Sequence, residues 1–258
     1  VKTYILIVDD IIKDFETQGF HIVQVKEIGI DSLNCMRYKY DVTEYCTAVK
    51  PKFILYLFEK YHYDKIIYLD PDIFVYESLQ TIWNKLDDSS IVLTPHVIKA
   101  NPDCSLTYVK QEESVLMSGI YNLGFIGIRN SSESFLFLEW WHNRLETECY
   151  DDKNTGLFTD QKWVNMCTAF VDDVCILRNP AYNVAWWNYH EKEILIIEDK
   201  PFVKFLGKEE PVVFFHFSGF SPKHLDKIGR HSIMISKEQE KIIKQIYLSY
   251  FTQVKLNN

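Results

Sequence analysis

The chain has 258 residues, 47% of them hydrophobic and 15% aromatic, which supports a sizeable core in one large domain or two small ones. Only 9 glycines and 8 prolines speak against a low-complexity or disordered polypeptide. The net charge of −8, from 28 basic and 36 acidic residues, disfavours nucleic acid as a partner. No uninterrupted apolar run reaches the length of a membrane span, and Val1 is not followed by the basic region of a signal peptide. Six cysteines fall at 35, 46, 104, 149, 167 and 175 without C-x-x-C spacing, so reduced thiols in a cytosolic protein are expected.

Residues 3–10 form an apolar run ending in Asp9-Asp10 and predict a parallel strand; His21 to Val25 is a short second one. A chain opening inside a core strand is expected to lack an upstream element. Thr43 to Tyr61 predicts helix with Ile54, Leu55, Phe58 and Tyr61 on one face. Pro51 demands either a kink or a second helix carrying it in the first turn. The run Lys65-Ile66-Ile67-Tyr68-Leu69 has no polar alternation, the pattern of a strand buried on both faces in a parallel sheet. Pro71 cannot donate to a ladder, so pairing should stop at Asp70. Ser78 to Leu86 predicts helix and Ser90 to Thr94 strand. Residues 95–118 read as a long polar loop, functional or mobile, containing Asn101-Pro102-Asp103.

Tyr121 to Ile128 is strand-like with two glycines, which mark close approach of a ligand or another backbone. Ser131 or Ser132 should cap a helix over 133–148, with Phe135, Leu138, Trp141 and Leu145 as its buried stripe. Thr159 is the expected N-cap of a helix opened by Asp160-Gln161. Val174 to Leu177 predicts a short strand. An aromatic and amide cluster occupies 182–190, and Pro211 to Phe217 is a last apolar strand. Ser236 and Gln239 have capping-box spacing ahead of an amphipathic helix bearing Ile242, Ile243, Ile246, Tyr250 and Val254. With no repeat and no linker, the alternation predicts a single α/β domain over 1–258.

Four features carry chemistry, each with a plainer alternative. Asp70-Pro71-Asp72 ends a core strand, where open α/β sheets bind ligands. Two carboxylates aimed at one point repel unless a cation intervenes, and oxygen ligands suit Mg²⁺ or Mn²⁺, ions that grip phosphate oxygens. The alternative is a solvated acidic turn. His216 at the end of another strand could complete an Asp, Asp, His set for Mn²⁺, or be a satisfied rim histidine. Asp160 could simply complement a helix dipole. The 182–190 cluster suits sugar rings, which stack on aromatics and bond to amides, or it is core packing.

In order, Asp70-Pro71-Asp72, Asn122-Leu123-Gly124, Asp160-Gln161 and His216-Phe217-Ser218-Gly219 resemble the GT-A glycosyltransferases, most of all the family 8-like, nucleotide-sugar-dependent type. The stretch 43–220 also resembles bacterial transferases of surface-polysaccharide clusters. The resemblance implies a GT-A, Rossmann-like α/β fold with a mixed, mainly parallel central sheet flanked by helices. It implies a UDP-sugar donor held through Mn²⁺ or Mg²⁺, with Asp70, Asp72 and His216 as metal ligands. Asp160 and Gln161 would face the reacting sugar, while Lys50, Asn122, Gly219 and Lys223 would contact the donor. The acceptor would be a saccharide or glycolipid, with the protein in the cytoplasm or at the inner face of the membrane. Family 8 enzymes retain anomeric configuration; Asp160 is then the one evident side-chain nucleophile, against a front-face reaction assisted by the leaving phosphate. Family 8 usually places lysine before proline after the metal histidine, whereas this chain has Pro222-Lys223. The family also begins with a strand and helix that hold the uracil, and this chain is expected to enter at the next strand.

Rival readings are a haloacid-dehalogenase-type phosphatase, with Asp172-Asp173 as its late acidic pair, a phospho-receiver with Asp9-Asp10, and a non-catalytic sugar-binding module of the same fold. The phosphatase motif wants Thr or Val where Phe74 stands.

Overall fold

The computed structural model describes residues 1–9, 19–101, 105–224, 227–229 and 235–256. Asp10, Pro102, Asp103 and Cys104 lie outside them. The strands, in chain order, are β1 (Tyr4–Ile7), β2 (His21–Gln24), β3 (Lys65–Leu69), β4 (Ile73–Val75), β5 (Ile91–Leu93), β6 (Phe125–Arg129), β7 (Val174–Ile176), β8 (Glu193–Ile197), β9 (Lys200–Phe205), β10 (Lys208–Pro211) and β11 (Phe214–His216). The α-helices are α1 (Leu33–Lys39), α2 (Val42–Ala48), α3 (Lys50–Tyr61), α4 (Gln80–Asp88), α5 (Leu106–Ser118), α6 (Ser132–Leu145), α7 (Cys167–Phe170) and α8 (Lys237–Leu256).

The sheet that positions the site has the order β3-β6-β5-β7. β6 runs antiparallel to both β3 and β5, and β5 pairs in parallel with β7. Two of its three ladders are therefore antiparallel, so the sheet is mixed as expected but not mainly parallel. The cause is topological: β3, α4 and β5 form a crossover, and β6 inserts between the two parallel strands it leaves apart. β3 lies at the end of the order, and its five residues are all only partly buried. Its unbroken apolar run still has a reason, because both faces are packed. Ile66 and Tyr68 join one hydrophobic cluster, with α3 and α6; Ile67 and Leu69 join the other, with α4, β11 and α8. Ile126 and Ile128 against Phe125, and Ile91 and Leu93 against Val92, divide in the same way.

Local signals explain several boundaries. The Asp41 carboxylate accepts from the Glu44 N–H at 2.8 Å and starts α2. Pro51 sits in the first turn of α3, so the predicted 43–61 helix is two helices. The Ser131 hydroxyl caps α6, and the Ser236 hydroxyl accepts from the Gln239 N–H at 3.1 Å before α8.

Two expectations are corrected, a third is narrowed, and one stretch without a prediction acquires structure. Residues 106–118, expected to be irregular, form α5, whose polar sequence hid it because none of its residues is buried. Asp160-Gln161 does not open a helix: Thr159 has φ +44°, turns follow, and a 3₁₀ turn begins only at Trp163. Residues 193–210, for which the sequence pattern makes no prediction, form with Pro211 a three-stranded antiparallel meander, β8-β9-β10, and the strand expected over 211–217 is confined to Phe214–His216. The five described cysteines are free thiols. No helix among the described residues is long and apolar enough to cross a membrane.

Candidate metal centre

The end of β3 and the end of β11 meet through short backbone links. The Asp70 N–H donates to the Gly124 carbonyl at 2.7 Å, extending the β3–β6 ladder one residue into the acidic corner. Pro71 then turns the chain, and the Ile73 N–H returns to the Asp70 carbonyl at 3.0 Å. β4 pairs antiparallel with β11, placing His216 opposite Ile73, while the Phe217 N–H donates to the Asp72 carbonyl at 2.9 Å. Residues 144 positions apart in sequence are thereby neighbours: Asp70, Asp72 and His216 each offer a ligand atom, all within 4.8 Å of one another. The His216 Nε2 stands 3.0 Å from Asp72 Oδ1. The Asp70 and Asp72 side chains are 26% and 37% exposed, that of His216 only 5%. Two carboxylate oxygens and one borderline imidazole nitrogen make a donor set that fits Mn²⁺, and Mg²⁺ less well. The structure brings these three sequence-predicted residues together.

Behind the corner lies a buried cation. Lys50, at the start of α3, is 2% exposed. Its ammonium lies 2.7 Å from Asp160 Oδ2 and 3.6 Å from Asp70 Oδ1, donates to the Leu123 carbonyl at 2.7 Å, and sits 4.6 Å from the centre of the Tyr68 ring. Burial pulls its pKa down, but the Asp160 and Asp70 carboxylates outweigh that and leave it above the ordinary lysine value. The Tyr68 hydroxyl donates to Asp70 Oδ1 at 2.7 Å, so one oxygen of Asp70 is oriented by β3 itself. Asp160 is 2% exposed, and its other oxygen accepts from the Thr159 hydroxyl at 3.2 Å.

Gln161, Asn122 and Asn183 are also buried, at 5%, 7% and 1% exposure. The Gln161 side chain is bound inward, between the Ser118 carbonyl, the Leu123 N–H and Asn122. Asn122 lies against both Gln161 and His216. Trp187, 6% exposed, packs edge-on against His216 and His96, with ring centres at 5.1 and 5.3 Å. That half of the 182–190 cluster is packing around the histidine. Gly219 and Lys223 lie on exposed chain beyond β11, Gly219 with φ +77°. Sequence reasoning missed Thr94, His96 and Asn183 as neighbours of the site. Asn183 had one legible signal, an amide residue among aromatics, but its left-handed φ of +52° and its partners depend on tertiary structure. Burial lowers the His96 pKa to about 4, which keeps that ring neutral.

Fold and site together define a mixed α/β protein with a candidate divalent-cation centre at a strand end. No family model matches the chain. It is 24% identical over 239 residues to the uncharacterized protein YfnF of Bacillus subtilis (strain 168), covering 87% of this chain and 74% of that protein. It is likewise 24% identical over 262 residues to the uncharacterized protein YfnD of the same organism, covering 98% and 79%. Among solved structures it is similar to a glycosyltransferase involved in the glycosylation of the major capsid of PBCV-1, at 10% identity and a TM-score of 0.44, over 88% of this chain and 85% of that one.

Proposed function

We propose that this chain is a metal-dependent glycosyltransferase that moves a sugar from a UDP-sugar to a saccharide or glycolipid acceptor in surface-glycan synthesis. The observation that carries the reading is the convergence of Asp70, Asp72 and His216 within 4.8 Å. The two carboxylates remain partly open to solvent, so a phosphate-bearing ligand can reach them. A bound Mn²⁺ or Mg²⁺ would supply charge neutralisation for the departing diphosphate.

The chain's own residues then divide the work. Asp70, Asp72 and His216 would hold the ion. Lys50 is already engaged with two carboxylates and a carbonyl, so it sets the charge and position of Asp70 and Asp160 and does not reach out to the diphosphate. Lys223, exposed on the chain after β11, is the residue we assign to contact with the phosphates. Asp160 is buried and ion-paired, which favours a front-face reaction with retention over attack by its carboxylate. Asn122 and Gln161 form the wall behind the sugar position. α5 has no buried residue and is tied to its surroundings by polar contacts, from Gln111 to the Trp187 carbonyl and His190 and from Gln161 to the Ser118 carbonyl, and it is the element we assign to close over the donor.

The test is a thermal-shift screen of UDP, other nucleotides and UDP-sugars, with and without Mn²⁺, followed by assay of UDP release. Stabilisation by UDP only with Mn²⁺, and Mn²⁺-dependent UDP release, support the transferase. Mn²⁺-dependent binding without turnover over a panel of acceptors points to a sugar-binding module. Phosphate release from small phosphoesters points to a phosphatase.

A further inference from the structure

Every polar atom around His216 can be assigned a direction by starting from the backbone, which cannot flip. The Ser118 carbonyl accepts, so the group of Gln161 facing it at 2.9 Å is its NH₂. The Gln161 carbonyl oxygen must then face the other way, where it accepts from the Leu123 N–H at 3.2 Å. The same oxygen, 3.2 Å from Asn122, requires the Asn122 NH₂ on that side. His96 agrees independently. Its Nδ1 lies 3.2 Å from the Ile120 carbonyl and must donate, leaving Nε2 to accept from Asn122 at 3.4 Å.

The Asn122 oxygen is thereby turned towards β6 and β11. It accepts from the Gly124 N–H at 3.2 Å and from the Asn183 NH₂ at 3.0 Å. The Asn183 NH₂ also reaches the Thr94 hydroxyl at 2.9 Å, so its own oxygen faces His216. The His216 Nδ1 consequently meets two amide oxygens, Asn122 at 3.1 Å and Asn183 at 3.2 Å, and both can only accept.

We infer that Asn183 and Gly124 are positioning residues for the metal histidine: with Asn122, Asn183 fixes the proton of His216 on Nδ1, and Gly124 makes the space the ring occupies, so that the Nε2 lone pair points at the acidic corner. The inference rests on the proposed metal reading, because without a cation the Asp72 carboxylate, 3.0 Å from Nε2, competes for a proton on that nitrogen; the two amide oxygens at Nδ1 do not depend on it. The glycine is required because a Cβ at 124 would stand 2.3 Å from Cε1 and 2.7 Å from Nδ1 of His216. The glycine in the strand pattern thus marks the close approach of an imidazole. Asn183 is suited to its place because asparagine tolerates left-handed backbone better than most side chains. With Nε2 unprotonated, a ring lone pair and the Asp72 carboxylate are 3.0 Å apart, and a cation between them relieves the contact. Outer partners of this kind orient a ligating histidine, and their loss typically costs about 10- to 100-fold in metal affinity.

The experiment uses the protein with ¹⁵N-labelled histidine, free of metal and at pH 8.5. Long-range ¹H–¹⁵N correlation reads which nitrogen of His216 carries the proton, and the loss of free Mn²⁺ signal in electron paramagnetic resonance reads Mn²⁺ affinity. The expected result is a proton on Nδ1 in the parent protein. In Asn183→Gly, where glycine accepts the backbone angle, only the Asn122 oxygen still accepts from Nδ1, so the share of the Nε2–H tautomer should rise and Mn²⁺ affinity fall about 10- to 100-fold. Gly124→Ala should weaken Mn²⁺ at least as much by displacing the ring. A parent ring protonated on Nε2, or an Asn183→Gly protein with unchanged tautomer and affinity, overturns the inference. The parent measurement needs no variant, so a misfolded substitution does not shelter the idea. An Nδ1 proton that is lost in Asn183→Gly, in a protein that never binds Mn²⁺, upholds the positioning and overturns the metal reading instead.

Discussion

Asp72 and Asp160 carry the same functional group in opposite surroundings. Asp72 is 37% exposed at a strand-end turn, facing an imidazole; Asp160 is 3% exposed and lies 2.7 Å from a buried ammonium. An acid in the first setting is held ready for a ligand from outside. In the second, the charge has been satisfied from within, by a lysine whose own desolvation makes the pair interdependent. One is therefore expected to matter for chemistry with little effect on stability, and the other for stability first. Asp70 joins the two, since its Oδ1 lies 3.6 Å from Lys50 while its side chain stays 26% exposed.

The largest effect should fall on the open side. Asp72→Ala is expected to reduce Mn²⁺-dependent transfer by about 10³-fold or more, on the order of 4 kcal/mol of barrier, with unfolding free energy changed by no more than about 0.5 kcal/mol. UDP-release kinetics and urea unfolding of one preparation check both halves. Full activity, or a comparable loss of stability, would erase the contrast between the two acids. On the closed side, Lys50→Met strands Asp160 without its cation and should cost about 3–5 kcal/mol of stability. Adding Asp160→Leu should recover much of that loss, because an apolar pair of similar volume needs no partner. A loss below about 1 kcal/mol in Lys50→Met would show that the pair is solvated, contrary to its burial.

The same contrast explains what the sequence made legible. Strand-end acids betray themselves, because an apolar run that stops at Asp-Pro-Asp records a local rule about ladders and turns. The periodicity of α3, α6 and α8 was equally visible, since each buries one stripe. β6 announced a close approach through its glycines, but only the fold reveals that the approaching group is His216. Lys50 could be read as a cation near a phosphate, and its engagement with Asp160 and Asp70 depends on α3 packing beneath a loop over a hundred residues later. The helix expected at Asp160 failed for a similar reason: Thr159 adopts a left-handed conformation imposed by the contacts around it and not by any propensity of threonine. α5 was hidden because its helix lacks the buried stripe on which periodicity depends.

Acid should sharpen the distinction further, through a group on the closed side. His96 has its pKa lowered from 6.5 to about 4, chiefly by burial and slightly by the electrostatics of His216, against the pull of carbonyls at Ile120 and Gly119. Between those two values the unfolded chain takes up a proton that the folded chain refuses. Stability should be full above pH 6.5, fall as the pH drops towards 4, and stop changing from this source below that, for a total on the order of 3 kcal/mol. His190, also lowered to about 4 by burial and by Lys192, acts in the same direction. Urea unfolding at pH 7 and pH 4.5 measures the slope, and His96→Gln should flatten it. An unchanged slope in that variant would mean that the ring is reached by water.

A further carboxylate, Asp41, gives the smallest effect and a control for Asp72 and Asp160. It is exposed and has neither a buried cation nor a neighbouring imidazole to serve; its Oδ1 accepts from the Glu44 N–H at 2.8 Å, while Glu44 Oε2 accepts from the Asp41 N–H at 3.0 Å. This reciprocal cap starts α2, the helix that leads into Lys50. Asp41→Ala is expected to cost about 1 kcal/mol, the usual worth of a helix cap, with Mn²⁺ affinity and transfer rate unchanged. A fall in Mn²⁺ affinity in this variant would mean that α2 transmits its strain through Val49 to Lys50 and on to Asp70, so that the open and closed acids are coupled more tightly than their separate surroundings imply.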